Sequence, residues 1–371
     1  MARILYSMAG EGRGHATRVR TIVEALRHEH ELILLASDEA YDFLSPKYAS
    51  PASNVFVRRI PGMRFHYTRA RLDLTQSFVS GVKFWWRLPS LIDELGELID
   101  EYYPALAITD FEPALAQAAV RRGVPLISLD HQHFLTTYDL SSLPLALRCY
   151  AQFMGLAMGT MSVRPTLTIV SSFFQAPLRD SDRRVLQVGP LLRSELRSLQ
   201  PTRGGHIVSY LRKTTSPRVL EMLTACNRDV VVYGLGERKS EGNLRFREID
   251  EQTFAYDLAD CAAVVGAAGN QTLGEALHFG KPILALPEQN HHEQLINAHF
   301  LKAMGAGDWT TAELAEPSHL QAFLANLGKF EHYASKYQGQ LDGTPQALAE
   351  IGRFLPQSRG SRRTTTLTNA A

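Results

Sequence analysis

The chain has 371 residues, 45% of them hydrophobic and 21% charged, with a net charge of +1. That length accommodates two domains and that composition a sizeable core, while a charge so close to zero supplies no field to recruit nucleic acid. Three widely spaced cysteines (Cys149, Cys226 and Cys261) fit a reducing compartment and neither a disulfide framework nor a zinc site.

No apolar run reaches the roughly 18–20 residues of a spanning helix. The start, Met1 to Met8, is too quickly followed by glycine for a signal peptide, so the expected location is cytoplasmic.

Arg3–Met8 reads as a buried strand. It runs into Ala9-Gly10-Glu11-Gly12-Arg13-Gly14-His15, then a helix with Val19, Ile22, Val23 and Leu26 on its apolar stripe. Leu32–Ala36 is the second strand. Strand, glycine loop, helix, strand opens a Rossmann-like unit. The nicotinamide fingerprint needs a third glycine where His15 stands, so a dinucleotide-binding oxidoreductase is disfavoured; the P-loop lysine is also missing. A histidine at the carboxyl end of a parallel strand lies where open α/β sheets bind ligands, and as neutral imidazole it can act as a general base. It reads equally as a capping or surface residue.

Residues 55–90 are rich in arginine and aromatics, including Arg58, Arg59, Arg64, Arg69, Arg71, Lys83, Trp85, Trp86 and Arg87. They fit a solvated loop plus a core helix, or a surface resting on an anionic membrane or lipid-linked ligand. Ala105–Thr109 is a further parallel strand ending in Asp110. Phe111-Glu112-Pro113 then turns into a helix, and Glu112 is a second carboxylate candidate. Val124–Leu129 is another buried strand and delivers Asp130-His131-Gln132-His133 to its carboxyl end. Asp180-Ser181-Asp182 has the form of a metal-binding D-x-D, but Arg179, Arg183 and Arg184 around it favour a solvated turn. Arg193 to Gly205 has linker composition.

A second alternation follows: strand Ile207–Leu211, a polar turn with Arg212 and Lys213, helix Pro217–Cys226, and strands Asp229–Tyr233 and Leu244–Glu248. Ala262–Val265 is a strand leading into Gly266-Ala267-Ala268-Gly269, which has almost no side chain. Asn270 to Phe279 reads as a helix ended by Gly280. Its N-terminus offers unpaired N–H groups to an anion, and Gln271, Thr272 and Glu275 share one face. Later helices cover Leu295–Met304, Leu320–Leu327 and Pro345–Phe354.

The stretch from Gly269 through Gln271, Thr272, Glu275, Gly280, Pro282 and Pro287 to Glu293-Gln294-Leu295-Ile296-Asn297-Ala298 resembles the donor site of GT-B glycosyltransferases. It is similar to that of UDP-glycosyltransferases and of the peptidoglycan N-acetylglucosaminyltransferase family, with a glycosyltransferase family 28-like C-terminal domain. The resemblance implies an α/β, GT-B fold, two Rossmann-like domains facing across a cleft. The acceptor domain would be residues 1–190 and the nucleotide-sugar domain 191–357, its last helix crossing back to the first; 358–371 would be a disordered tail.

It further implies a hexosyltransferase in cell-envelope or glycan biosynthesis that uses a nucleotide sugar, with UDP the expected nucleotide, and an acceptor hydroxyl, without metal or other cofactor. His15 would be the base and Asp110 its orienting partner. Donor contacts would come from Arg212, Ala268, Gly269, Asn270, Gln271, Thr272, Glu275 for ribose, and Glu293 with Gln294 for sugar hydroxyls. Gly12, Gly14 and His131 would lie on the acceptor side. Three departures stand out: Ala267 where many relatives have a phosphate-contacting histidine, Gln271 for asparagine, and about two extra residues between Pro287 and Glu293. A nucleotide-sugar epimerase of this fold and a non-catalytic sugar-nucleotide-binding protein remain as alternatives. Peripheral contact with the inner face of a membrane is also compatible.

Overall fold

The computed structural model describes residues 1–10, 13–62, 66–68, 71–161, 163–180 and 184–356. Gly12, Arg64, Arg69, most of the Asp180-Ser181-Asp182 turn and the 358–371 tail therefore lie outside the described residues.

Two parallel sheets organise the chain. The first contains β1 (Arg3–Met8), β2 (Glu31–Ala36), β3 (Val55–Arg59), β4 (Leu106–Asp110), β5 (Leu126–Asp130), β6 (Leu167–Ser171) and β7 (Val185–Val188). Its seven strands run in the order β3-β2-β1-β4-β5-β6-β7. The second contains β8 (Ile207–Tyr210), β9 (Val230–Tyr233), β10 (Leu244–Arg247), β11 (Ala263–Gly266), β12 (Ile283–Ala285) and β13 (Gly307–Trp309). Its six strands run in the order β10-β9-β8-β11-β12-β13. Their near-continuous Val/Ile/Leu content follows from burial on both faces. The α/β, GT-B class expected from the sequence is the fold observed.

Each sheet reverses its winding once, between β1 and β4 and between β8 and β11. Such switch points open a crevice at the strands' carboxyl ends. In the first, Met8 pairs with Asp110, so the two strands end level. In the second, Tyr210 pairs with Gly266.

In residues 55–90 the expected core helix is present, but it runs well past residue 90 and is preceded by a hairpin. After β3 come a hairpin of His66–Thr68 with Arg71–Asp73 and a 29-residue helix, Leu74–Tyr102, that continues through Pro89. Its stripe of Phe84, Leu88, Leu91, Ile92, Leu95, Leu98 and Ile99 packs with Leu5, Ile33, Leu35 and Ala107. Pro89 sits on the exposed face, where losing one N–H is tolerable because burial of the other face holds the helix. At the far end, the helix Thr344–Gly352 places Ala347 and Ile351 in the core of the first sheet.

Candidate active site

The first helix begins at Arg13, which makes His15 its third residue. His15 Nδ1 lies 2.9 Å from Asp110 Oδ1. Asp110 has no exposure and Arg18 only 3%. Arg18 grips the carboxylate with both arms of its guanidinium, Nε to Oδ2 at 2.9 Å and Nη2 to Oδ1 at 2.6 Å. Such a carboxylate can only accept, so Nδ1 carries the ring proton and Nε2 is left with its lone pair. The 3.2 Å approach of Arg18 Nη2 to His15 Nδ1 is then contact between two donors, both serving Asp110.

Sequence reasoning paired His15 with Asp110 and missed Arg18. The signal was present: Arg18 follows His15 by three, which puts both on one helix face. Glu112 is not a free base, because its carboxylate accepts from Ala114 N and Leu115 N, both at 2.8 Å, and caps its helix. Gly14 is described, and a Cβ there would meet nothing within 4 Å.

At the end of β5 the sequence expectation centred on His131. That ring is 1% exposed and lies 3.2 Å from Asn297 Oδ1 and 3.3 Å from Ser171 O. Burial holds its pKa below the usual imidazole value. It therefore sits in the contact between domains. Its neighbour Gln132 donates to Glu293 Oε2 at 3.5 Å. His133 instead keeps a partly exposed ring, with Nδ1 2.7 Å from Asp130 Oδ2.

On the donor side Gly269 caps the helix Asn270–His278. Ala267, Gly269 and Thr272 retain exposure, so the helix's first N–H groups face an accessible turn. The larger polar side chains are turned away. Asn270 accepts from Phe173 N at 3.0 Å and donates to Ser171 O at 3.1 Å. Gln271 donates to Leu191 O at 3.0 Å and to Glu275 Oε1 at 2.9 Å. Glu275, 3% exposed, also accepts from Arg193 Nη2 at 3.3 Å. Ala268 is buried, and its carbonyl accepts from Asn297 Nδ2 at 2.9 Å. Gly274 allows this packing, since a Cβ there would fall 2.1 Å from Pro190 Cγ.

The loop after β12 is folded on itself. Gln294 Oε1 accepts from Glu288 N at 2.9 Å, so that amide is used within the loop. Arg212 lies 3.6 Å from Glu288, a carboxyl raised by burial and opposed by Arg212. β8, β11 and β12 are neighbours, so this pair bridges strand ends on either side of Ala267. Glu293 is pushed up by burial but pulled further down by His131, His291, His15 and Arg18. The sugar-side carboxylate of the resemblance and the His15 site therefore share one electrostatic environment.

A chain of ions joins the domains near the linker. Arg20 of the first helix binds Glu251 and, at 3.0 Å, Glu195. Lys47 lies 3.3 Å from Glu251, and Arg193 Nη1 lies 3.7 Å from it. None of these was singled out from sequence. Among the described residues there is no group of three or more His, Cys, Asp or Glu able to hold a metal ion, and no helix long and apolar enough to cross a membrane.

Two Rossmann-like domains, with a histidine–carboxylate pair at one switch point and an open helix N-terminus at the other, define the GT-B class. The family model described as "Glycosyl transferase family 1" matches residues 2–328. The chain belongs to that family. An uncharacterized glycosyltransferase of Methanosarcina mazei is 31% identical over 185 residues, which is 44% of this chain and 48% of the relative; that match thus spans about half the relative's length. One of Methanosarcina acetivorans is 24% identical over 97% of both chains. Among solved structures, Phytolacca americana UGT2, complexed with UDP-2fluoro-glucose and pterostilbene, aligns with a TM-score of 0.68 at 11% identity, covering 95% of this chain and 99% of that one. Acinetobacter baumannii MurG aligns with a TM-score of 0.63 at 13% identity, covering 95% and 100%. At these identities the structural likeness carries the fold.

Proposed function

We propose that the protein transfers a hexose-type sugar from a nucleotide diphosphate, with UDP the expected nucleotide, to an acceptor hydroxyl without a metal ion. The observation that carries this is His15: its Nδ1 is fixed at 2.9 Å from an Asp110 that Arg18 already neutralises. Nε2 then takes the acceptor proton as the hydroxyl attacks the anomeric carbon and the nucleoside diphosphate leaves. The N–H groups opening the helix at Gly269 receive the charge that builds on the diphosphate, with Arg212 as the nearby cation. Glu293 holds sugar hydroxyls, facing the His15 side of the cleft.

The test is a melting-temperature panel with UDP, UDP-glucose, UDP-N-acetylglucosamine, GDP-mannose, dTDP-glucose and NAD, each with and without magnesium. A ligand at about 100 times its dissociation constant adds about 2.7 kcal/mol, which is readily seen. A magnesium-independent rise with one nucleotide sugar is expected; a rise with NAD alone would overturn the reading. With the donor known, His15→Ala should lower transfer by about 10²–10⁴ and leave donor binding in place.

A further inference from the structure

The acceptor side carries a second histidine–carboxylate pair that the reaction above does not use. Asp110 and Asp130 end adjacent strands, β4 and β5. Asp130 has no exposure and receives three hydrogen bonds: Ser128 Oγ to Oδ2 at 2.7 Å, His133 N to Oδ1 at 2.9 Å, and the His133 ring at 2.7 Å. With Nδ1 committed, Nε2 is the remaining nitrogen of a side chain that keeps 21% exposure.

The two pairs differ in where the countercharge comes from. Asp110 has the Arg18 guanidinium on both oxygens and needs no charge from its histidine. Asp130 is met otherwise by a hydroxyl and a backbone N–H, both neutral, so the His133 ring is the one titratable group in hydrogen-bond contact with it among the described residues, with Arg18 acting from further away. Burial lowers the His133 pKa, but Asp130, with Asp110 behind it, more than reverses this and raises it. The different partners of the two carboxylates assign the roles: Arg18 already meets Asp110, which leaves His15 as the base, whereas Asp130 holds His133 as an N–H donor. Glu293 acts on His131, His291, His15 and Arg18, whereas the charged groups acting on His133 are Asp130 and Asp110. The adjoining Gln132 meets Glu293 across the domains, which sets this segment at the cleft.

We propose that His133, held by Asp130, binds an oxyanion of the acceptor, a carboxylate or a phosphate, carried beside the hydroxyl that His15 deprotonates. This rests on the reading of the cleft as a glycosyl-transfer site and narrows the acceptor to hydroxyl compounds bearing an acidic group. His133 positions the acceptor; the proton still leaves through His15.

The experiment follows histidine ring resonances of isotope-labelled protein, assigned with His15→Gln and His133→Gln, while inorganic phosphate, glycolate or ethylene glycol is added. Each titration is run with and without saturating UDP, which keeps phosphate from the donor side. The expected result is a saturable shift of the His133 ring with an anion and none with ethylene glycol. The apparent affinity should fall about tenfold in Asp130→Asn, the scale of a lost charge-assisted bond. Response to phosphate alone, or to glycolate alone, identifies the source of the oxyanion. If neither anion moves the His133 ring, or ethylene glycol moves it equally, His133 is only the counter-ion of Asp130 and the proposal fails. Failure of UDP to raise the melting temperature of the same samples would strike the donor reading instead, and the UDP-free titrations would still judge His133. Once an acceptor is known, His133→Gln should raise its KM about tenfold with a smaller change in kcat.

Discussion

Arg18 is the residue whose removal tests the site most sharply. Its guanidinium and Asp110 are both buried, with a shortest contact of 2.6 Å. At an effective dielectric of about 20 that distance corresponds to an attraction on the order of 6 kcal/mol before desolvation is counted. Burial works against the Arg18 charge, while Asp110 outweighs it and holds the proton on. Arg18→Met keeps the length of the side chain and deletes the charge, leaving Asp110 buried with only His15 to meet it. Breaking a buried pair in this way costs about 3–5 kcal/mol. Arg18→Met/Asp110→Asn removes both charges and should recover most of that loss, although transfer should stay low because an amide no longer fixes the tautomer of His15. The assay is urea unfolding followed through the transition of the first domain, since two domains need not unfold together. A single variant within about 1 kcal/mol of wild type, or a double variant as unstable as the two singles combined, would refute Arg18 as the countercharge of Asp110.

The second pair makes a pH prediction. Burial raises the Asp130 carboxyl, but His133 and the hydrogen bonds bring it down from 3.8 to about 2. Its contribution, about 2 kcal/mol, is present above the unfolded value and lost as pH falls through the folded one; Asp130→Asn should therefore flatten acid unfolding between about pH 4 and pH 2. His133 is raised, so its contribution is complete below about pH 6.5 and fades as pH rises through the folded value; His133→Gln should cost more stability at about pH 6 than at about pH 9. Asn270→Ala removes a side chain that binds Phe173 N and Ser171 O but no helix N–H. It should lower stability by about 1–3 kcal/mol and change UDP affinity, measured by calorimetry, less than about threefold; an unchanged melting temperature with much weaker UDP binding would contradict that division. Trp85 and Trp86 are 54% and 75% exposed, with exposed Lys83 and Arg87 beside them. If this surface meets a membrane, the protein should sediment with anionic vesicles and Trp85→Ala/Trp86→Ala should abolish it; equal sedimentation of both proteins would remove this surface as the contact.

What the sequence made legible is what is encoded locally. The turn and helix after β11 follow from consecutive small residues, a 3.6 period and Gly280, whose φ of +67° is the left-handed value that a glycine after a helix supplies without strain. The glycine loop, His15 and a carboxylate at the end of β4 were legible for the same reason. The partners were not. Arg18 reaches Asp110 over 92 residues and Arg193 reaches Glu275 over 82; an arginine in a helix or a linker reads as surface until the sheet brings a buried carboxylate to it. His131 and His133 illustrate the remaining gap. Two histidines spaced by two residues look equivalent in sequence, and the turn after Asp130 sends one into the domain contact and the other to the carboxylate. The length of the helix through Pro89 was hidden because its apolar stripe becomes regular only from Phe84 onward, past most of the arginines of residues 55–90.

The donor helix also shows how family-like residues can serve a second purpose. Asn270, Gln271 and Glu275 occupy the positions that the resemblance gives to nucleotide contacts, yet their side chains fasten the helix to Ser171, Phe173, Leu191 and Arg193. Arg193 is linked in turn through Glu251 to Arg20 and Lys47 of the first domain. A ribose that engages Glu275 must share that carboxylate with Arg193 and Gln271. Any gain in donor contact there is offset by loosening the ion chain between the domains. Donor binding and domain contact then draw on the same carboxylate, and two linked processes that compete for one group are coupled in both directions. A diphosphate bound as proposed would not enter this competition, because the N–H groups at Gly269 to Thr272 are backbone atoms on an accessible turn. On that proposal the diphosphate would anchor the donor whatever the domain contact does, while the ribose end would report on it.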